Sequence, residues 1–476
     1  MQFSRQWLLA AVGAGLLAGC ATQSPPMPAE IHRQSGTLNN LVLTSAWKAA
    51  PVSTNAIQDN WLATFQDDQL NALVAEAMTN NPDLRVASSR VEQAWHYVRL
   101  AKAALRPTVN LFGTGGLNMG GGDISSALQG ISLGASWEPD LWGRMRYGRN
   151  AAQATHASAR ADYEFSRQSL AATIAKSWFT ATETWLQLQI AEDMVQAARQ
   201  LLTLAETRRR VGAGSEEEIA LARADLATYQ DTARQVRFAH EQTLRALELL
   251  LGRYPAAELQ ARRDMVALPS AIPAGLPLEM LERRPDVIAA ERRVAAAFHR
   301  VGEAKAARLP RLILNANAAA IDSDILQLKE DFENPTGGAG AKLLAPIYQG
   351  GALKTQVEIR SLEQKQAVAE YARISLRALS DVENSLSSAR ALRDRQSFLE
   401  QAVAENQRAL DLAQTNYRIG RGDLRNVQHQ QLTVCAARLA LLRVRSEQLG
   451  ERVNLHLSLG GSFEPSMMAE VNLTMK

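Results

Sequence analysis

Several groups of residues in this chain have the types and spacing that chemistry uses. Glu216, Glu217 and Glu218 form a run of carboxylates that acid–base work could employ. Ser215 and Glu218, however, have the spacing of a capping box, and acids in the first turn of a helix offset its dipole, so capping accounts for the run without catalysis. Gly337-Gly338-Ala339-Gly340-Ala341-Lys342 is glycine-rich, but Leu343 stands where a phosphate loop needs a hydroxyl residue, and a strand pattern surrounds it where such a loop opens a helix. The seven histidines fall into no metal-ligand spacing such as His-Glu-x-x-His. Trp178 and Trp185, one heptad apart, read as packing residues rather than a ligand box. These patterns argue against an enzyme and against a bound cofactor or metal. The 52 basic and 49 acidic residues are interleaved to a net +3, which offers no basic stripe for nucleic acid.

Covalent chemistry is indicated at one position, Cys20. Arg5 supplies a positive start and Trp7 to Ala18 an apolar run too short to span a bilayer, and Leu17-Ala18-Gly19-Cys20 resembles a lipobox. Residues 1–19 are therefore expected to be a signal peptide whose removal exposes Cys20 for acylation. The resemblance to bacterial lipoproteins implies that the non-acidic Ala21 permits sorting to the outer membrane. Cys435 is then the only other cysteine, so no intrachain disulfide is available, and it reads as a small buried hydrophobe. Residues 20–60, rich in Ser, Thr, Asn and Pro without helical periodicity, are expected to form an extended lipidated tether.

The body of the chain is read as a tandem duplication. Asn81-Pro82-Asp83 precedes Arg284-Pro285-Asp286 by 203 residues, and Arg106-Pro107 precedes Leu309-Pro310 by the same interval. Val211-Gly212 precedes Ile419-Gly420 by 208, as Leu251-Gly252 precedes Leu459-Gly460. Ordered anchors at a nearly constant offset define repeat 1 at 61–252 and repeat 2 at 278–460, joined by a Pro-rich equatorial linker at 253–277 and followed by a tail at 461–476. Within each repeat the hydrophobic period runs helix, strand pair, long helix, tip hairpin and return helix. Val109, Leu111, Ile131, Leu133 and Trp137 alternate at period two, as do Leu312 and Leu314 in the second copy, giving four strands per chain. Arg144 to Val211 and Ala352 to Ile419 contain no proline, and 68 helical residues would reach about 100 Å. Ile174, Ala181, Leu188, Val195 and Leu202 recur every seven residues, the seam of a coiled coil.

Each long helix is expected to end in a narrow tip. Gly212 follows Arg208, Arg209 and Arg210 at a C-terminal cap, and Glu216, Glu217 and Glu218 open the return helix. Copy two repeats the device with Arg418, Gly420, Arg421, Asp423 and Arg425. Opposite charges on adjacent hairpins are expected to pair. Four strands cannot close a barrel, and open edges are not tolerated in lipid, so neighbouring chains must complete the sheet. Two chains would supply eight strands and three would supply twelve.

From Trp61 to Leu459 the chain resembles the TolC-like outer-membrane efflux channels, in the lipoprotein branch that includes the OprM and NodT types. The matches are Trp137-Glu138-Pro139-Asp140-Leu141-Trp142-Gly143-Arg144, Leu281-Glu282-Arg283-Arg284-Pro285-Asp286 and Tyr417-Arg418-Ile419-Gly420. The resemblance implies a mainly α fold with membrane β-structure: a homotrimer whose long coiled-coil helices form an α-barrel continuous with a twelve-stranded outer-membrane β-barrel. It also implies a passive export duct served by a periplasmic adaptor (membrane fusion protein) and an inner-membrane pump, with small toxic compounds and antibiotics as cargo. A duct for secreted proteins, or a lipoprotein that only bridges envelope layers, are the other readings. Pro139 replaces an aliphatic residue usual in the family, and Asn426 and His429 stand where many members carry tip carboxylates.

Overall fold

A computed structural model of the chain describes residues 22–36, 47–49, 59–115, 117–120, 123–126, 129–270, 272, 277–322 and 336–464. Cys20, the segment at 1–19 expected to be a signal peptide and the residues at 323–335 lie outside these residues. Helix α1 spans Pro28–Ser35, and a 3-10 turn at Trp61–Phe65 precedes α2 (Asp68–Asn80) and α3 (Pro82–Ala103). Strands β1 (Thr108–Thr114), β2 (Leu117–Gly120), β3 (Asp123–Ser126) and β4 (Gln129–Trp137) lead into α4 (Arg144–Arg210) and α5 (Glu216–Leu250). The second copy runs α6 (Pro277–Arg283), α7 (Pro285–Ala306), β5 (Arg311–Asp322), β6 (Thr336–Leu344), α8 (Ala352–Arg418) and α9 (Leu424–Ser458). Both long helices are 67 residues and both return helices 35, so the duplication is metrical as well as sequential. No helix among the described residues is long and apolar enough to cross a membrane.

Two compact units divide the chain, each drawn from both copies. The first comprises Met1–Leu41, Ser89–Ala161 and Ile288–Ile374 and holds the sheet. Its strands are antiparallel in the order β1-β4-β5-β6, with β2 and β3 forming a separate two-stranded ribbon that the period-two pattern did not distinguish. Register puts Val109, Leu111, Ile131, Leu133, Ala135 and Trp137 on one face with Leu312, Leu314, Ala316, Ala318, Ala339, Ala341 and Leu343. These residues are all apolar, Val109, Leu111, Ile131 and Leu133 are exposed, and the face ends in the polar rung Gln129–Asp322. The opposite face carries Thr108, Asn110, Ser132, Ser136, Asn315 and Asn317, and Phe112 lies across Gly134, where an added Cβ would meet its ring at 3.3 Å.

The residues after β4 build the strand-to-helix corner. Asp140 accepts from the N–H groups of Met145 (3.1 Å) and Arg146 (2.9 Å) and from Arg146 Nε (3.1 Å), satisfying donors at the start of α4. Arg144 pairs with Glu138 at 3.0 Å, Trp142 Nε1 donates to the Pro310 carbonyl at 2.6 Å, and Gly143 takes φ +77°. This hydrogen bonding gives a physical reason for the Trp137–Arg144 motif. The tether expectation needs correction here. Pro28–Ser35 is a helix, with Ile31 buried and His32 Nε2 2.9 Å from the Tyr371 hydroxyl.

The second unit comprises Val42–Ser88, Asp162–Val287 and Ser375–Lys476. Its main core joins Trp61, Phe65, Leu70, Val74, Ile174, Trp178, Phe179, Leu247, Leu251, Leu449 and Val453. Trp178 is fully buried and donates through Nε1 to Asp67 at 3.0 Å, while Asp67 caps α2 by accepting from Leu70 N–H at 3.0 Å. Tail residue Phe463 belongs to this core. The linker is held by Glu248, whose carboxylate accepts from the N–H groups of Ala257 (2.7 Å), Glu258 (2.8 Å) and Leu259 (3.0 Å).

A joint recurs where each short helix pair meets the end of its return helix. In copy one, Asn81 Nδ2 donates to the Leu250 carbonyl at 2.8 Å, and its Oδ1 accepts from Asp83 N–H (2.9 Å) and Leu84 N–H (3.1 Å). In copy two, Arg284 donates to the Ser458 carbonyl at 3.2 Å and pairs with Asp286 (2.9 Å) and Asp381 (3.2 Å). Its burial and these partners explain the Arg283-Arg284-Pro285-Asp286 motif as a helix cap and ion-pair centre. Backbones approach closely at both joints. A Cβ at Gly252 (φ +75°) would lie 2.8 Å from the Asn80 carbonyl oxygen, and one at Gly460 (φ +72°) 3.1 Å from Arg284 N.

Candidate functional site

The two hairpin tips lie together in the second unit over a small core of Leu201, Ala222, Leu410, Ala413, Tyr417, Leu424, Val427 and Val434. Both long helices end in the same Schellman geometry. Gly212 N–H donates to the Arg209 carbonyl (3.1 Å) and Ala213 N–H to Arg208 (2.8 Å), matched by Gly420 to Tyr417 (3.1 Å) and Arg421 to Asn416 (2.9 Å). Gly212 and Gly420 share φ +76°, a left-handed conformation that glycine adopts without strain.

The return helices are capped differently from the expectation in one respect. Ser215 Oγ accepts from Glu218 N–H at 3.1 Å, but Glu218 does not complete a capping box: its Oε2 is buried and without a hydrogen-bond partner. It faces the backbone at Gly214, where an added Cβ would sit 3.0 Å away. Asp423 caps α9 by accepting from Arg425 N–H at 3.1 Å.

The three arginines of copy one have separate roles. Arg208 reaches the other hairpin, donating from Nη1 to the Tyr417 carbonyl at 2.9 Å and from Nη2 to the Ala213 carbonyl at 3.1 Å, with its guanidinium 4.5 Å from the Tyr417 ring centre. Arg209 is within 3.8 Å of Glu216 in its own hairpin, and Arg210 forms no ion pair among the described residues. Glu217 pairs with Arg425, so the expected charge contact between hairpins is present within one chain. Arg418 and Arg421 are exposed and form no ion pair among the described residues. Asn426 and His429 are also exposed. Burial, followed by the nearby Glu218, pushes the Tyr417 phenol above the ordinary tyrosine value.

Sequence reasoning missed three participants. Gly214 and Gly422 each let the turn lie against the end of the preceding helix, with backbone 3.0 Å from a hypothetical Cβ in both cases. Their common offset of 208 was a signal that could have found them. Tyr417 stands out in the sequence only as part of a motif, and its place under Arg208 needed the fold. Cys435, expected to be buried, is only half-buried in α9, and that burial pushes its thiol pKa up. Among the described residues no cluster of His, Cys, Asp and Glu could hold a metal ion.

A sheet with one largely apolar, exposed face, together with duplicated long helices that end in capped tips, defines a channel subunit. The sequence profile of the family described as outer membrane efflux protein matches residues 73–253 and 276–461, and the chain belongs to that family. It is 30% identical over 478 residues to the pyoverdine export outer membrane protein OpmQ of Pseudomonas aeruginosa, covering 96% of this chain and 97% of that one. It is 29% identical over 459 residues to the cation efflux system protein CusC of Escherichia coli, covering 94% and 97%. The solved channel OprN superposes with a TM-score of 0.79 at 25% identity over 93% of this chain and 98% of its own. The Campylobacter jejuni CmeC channel shares the fold with a TM-score of 0.82 at 22% identity, over 90% and 93%. The protein is an outer-membrane efflux channel and not a catalyst.

Proposed function

We propose that three copies of the chain join their sheets edge to edge into a twelve-stranded barrel, forming a passive duct through which small toxic compounds leave the cell. The observation that carries this is the sheet itself. One face is apolar and exposed, which suits lipid, while the outer edges of β1 and β6 have no partner strand among the described residues. Hydrocarbon does not tolerate such edges, so neighbours complete the ladder. A periplasmic adaptor and an inner-membrane pump supply the energy that a duct lacks. Relatives named for pyoverdine export and for cation, toluene and antibiotic efflux support small solutes as cargo. A lipid on Cys20 anchors the chain in the outer membrane, and the charged tips hold the resting duct narrow.

Cross-linking of the detergent-purified protein is expected to plateau at trimer, and a plateau at monomer or dimer overturns the reading. Mass spectrometry of the mature chain is expected to find an acylated Cys20 at its N-terminus. A different terminus removes the anchor but leaves the duct.

A further inference from the structure

We infer that the polar face of the sheet carries a belt of unneutralised positive charge, formed by Arg311 and Lys342, which makes the exit passage favour anionic solutes over cationic ones. This rests on the barrel proposed above, in which the polar face lines the passage. Register assigns the two residues to that face. Lys342 pairs with Ile313 and Arg311 with Leu344, on rungs that alternate with the apolar pairs Leu312–Leu343 and Leu314–Ala341. The cations are thus diagonal neighbours on one surface, separated by roughly 7–8 Å.

Their surroundings leave the charge uncompensated. Neither residue forms an ion pair with another described residue, and the one carboxylate in β1, β4, β5 and β6 is Asp322, at the opposite end of β5. The nearby acids Glu138 and Asp140 are already held by Arg144 at 3.0 Å and Arg146 at 3.1 Å. Further along the same face the side chains are neutral, among them Ser136, Asn315 and Asn317. Two like charges placed side by side repel, so sheet stability gives no reason for the pair.

Threefold repetition turns the pair into a ring. The ring lies at the level of Trp137, which pairs with Leu314 on the apolar face, where aromatic side chains meet the membrane boundary. Low-dielectric walls focus such a field along the passage, and local anion concentration rises. The favoured solutes are those carrying a carboxylate, phosphate or comparable acid.

The test is the reversal potential of the trimer in planar bilayers of neutral lipid under a tenfold potassium chloride gradient. Lys342→Glu is expected to lower the ratio of chloride to potassium permeability by about tenfold at low salt. The difference should shrink toward 1 M salt, where the screening length is about 3 Å. Lys342→Cys in a Cys435→Ser background provides a second route, since labelling with a cationic or an anionic thiol reagent changes the charge on one and the same assembled protein. The two labelled forms are expected to differ in the same direction as wild type and Lys342→Glu. A conducting trimer whose selectivity is indifferent to these charges overturns the inference. Absence of both trimer and conductance overturns the barrel reading instead.

Discussion

Asn81 and Arg284 do the same work, each capping the end of a return helix through the carbonyl of Leu250 or Ser458, yet one is neutral and the other is a buried cation with two carboxylate partners. A second pair diverges in the opposite sense. Glu248 and His456 are 208 residues apart and both buried, but Glu248 accepts three backbone N–H groups whereas His456 stacks on Trp61 at 5.7 Å with its Nδ1 unpartnered. The segment that succeeds each copy explains the difference. The linker after copy one wraps its N–H groups around residue 248, and no comparable segment among the described residues encloses residue 456, so a carboxylate there would be buried without donors. Duplication preserved the geometry of the joint, and local surroundings then decided which charges each copy could keep.

The largest effect that tests this asymmetry is at Arg284. Arg284→Met is expected to lower stability by about 2–3 kcal/mol, because it removes charge-assisted hydrogen bonds to two partly exposed carboxylates and a helix cap together. Asn81→Ala, which loses neutral hydrogen bonds at the equivalent place, is expected to lower it by about 1–2 kcal/mol. Thermal melting of both variants compares them directly, and equal losses would mean that the charge at Arg284 adds nothing to the joint.

The pH dependence of stability sharpens the comparison at His456. Burial, with Arg452 second, lowers its pKa to about 3, so the folded protein holds it neutral. The unfolded chain binds the proton more readily, and stability from this residue is therefore complete above about pH 6.5 and is lost as pH falls toward 3. Each pH unit in that window costs up to about 1.4 kcal/mol. His240 and His299, also lowered by burial, act in the same direction. Melting temperatures of wild type and His456→Phe between pH 7 and 5 are expected to converge on acidification, and parallel curves would contradict the assignment.

Glycines at the joints give a smaller contrast. Gly252→Ala is expected to destabilise by about 1–2 kcal/mol, and Gly460→Ala by less, since the hypothetical contact to backbone is 2.8 Å at the first and 3.1 Å at the second. The smallest energetic effect is at the tips. The exposed Arg425–Glu217 pair is worth roughly 0.2–1 kcal/mol. Arg425→Glu is expected to leave melting nearly unchanged while raising single-channel conductance at low salt. Unchanged conductance at every salt concentration would assign these charges to capping alone.

Much of this architecture was legible because it repeats. Gly212 and Gly420 announced the tips by standing after cations at a constant interval, and the period change after Arg106 and Leu309 announced the strands. Local signals served less well where the partner was distant. Nothing in the sequence near Arg284 identifies the Ser458 carbonyl as its acceptor, and the docking of Ile31 and His32 depends on surfaces supplied far along the chain. At the tips, the sequence placed charges on both hairpins without indicating that Glu217 would meet Arg425 and Arg209 would meet Glu216. Whether Glu218 closes a capping box depends on a side-chain rotamer, and whether Arg208 faces its own hairpin or the next depends on how two helices more than two hundred residues apart pack.

The contact between the two ends of the second unit bears on how the molecule is made. Asn60 N–H donates to the Ser462 carbonyl at 2.7 Å, Ser462 N–H donates to Asp59 at 2.9 Å, and Phe463 fills the core that Trp61 and Phe65 begin. An N-terminal fragment therefore lacks the residues that finish its own interior, however long it grows before residue 463 arrives. Closure over so large a sequence separation is slow, and ribosomal synthesis runs at only about 5–20 residues per second. The core that Trp61 and Phe65 begin is therefore complete only once residue 463 has been made.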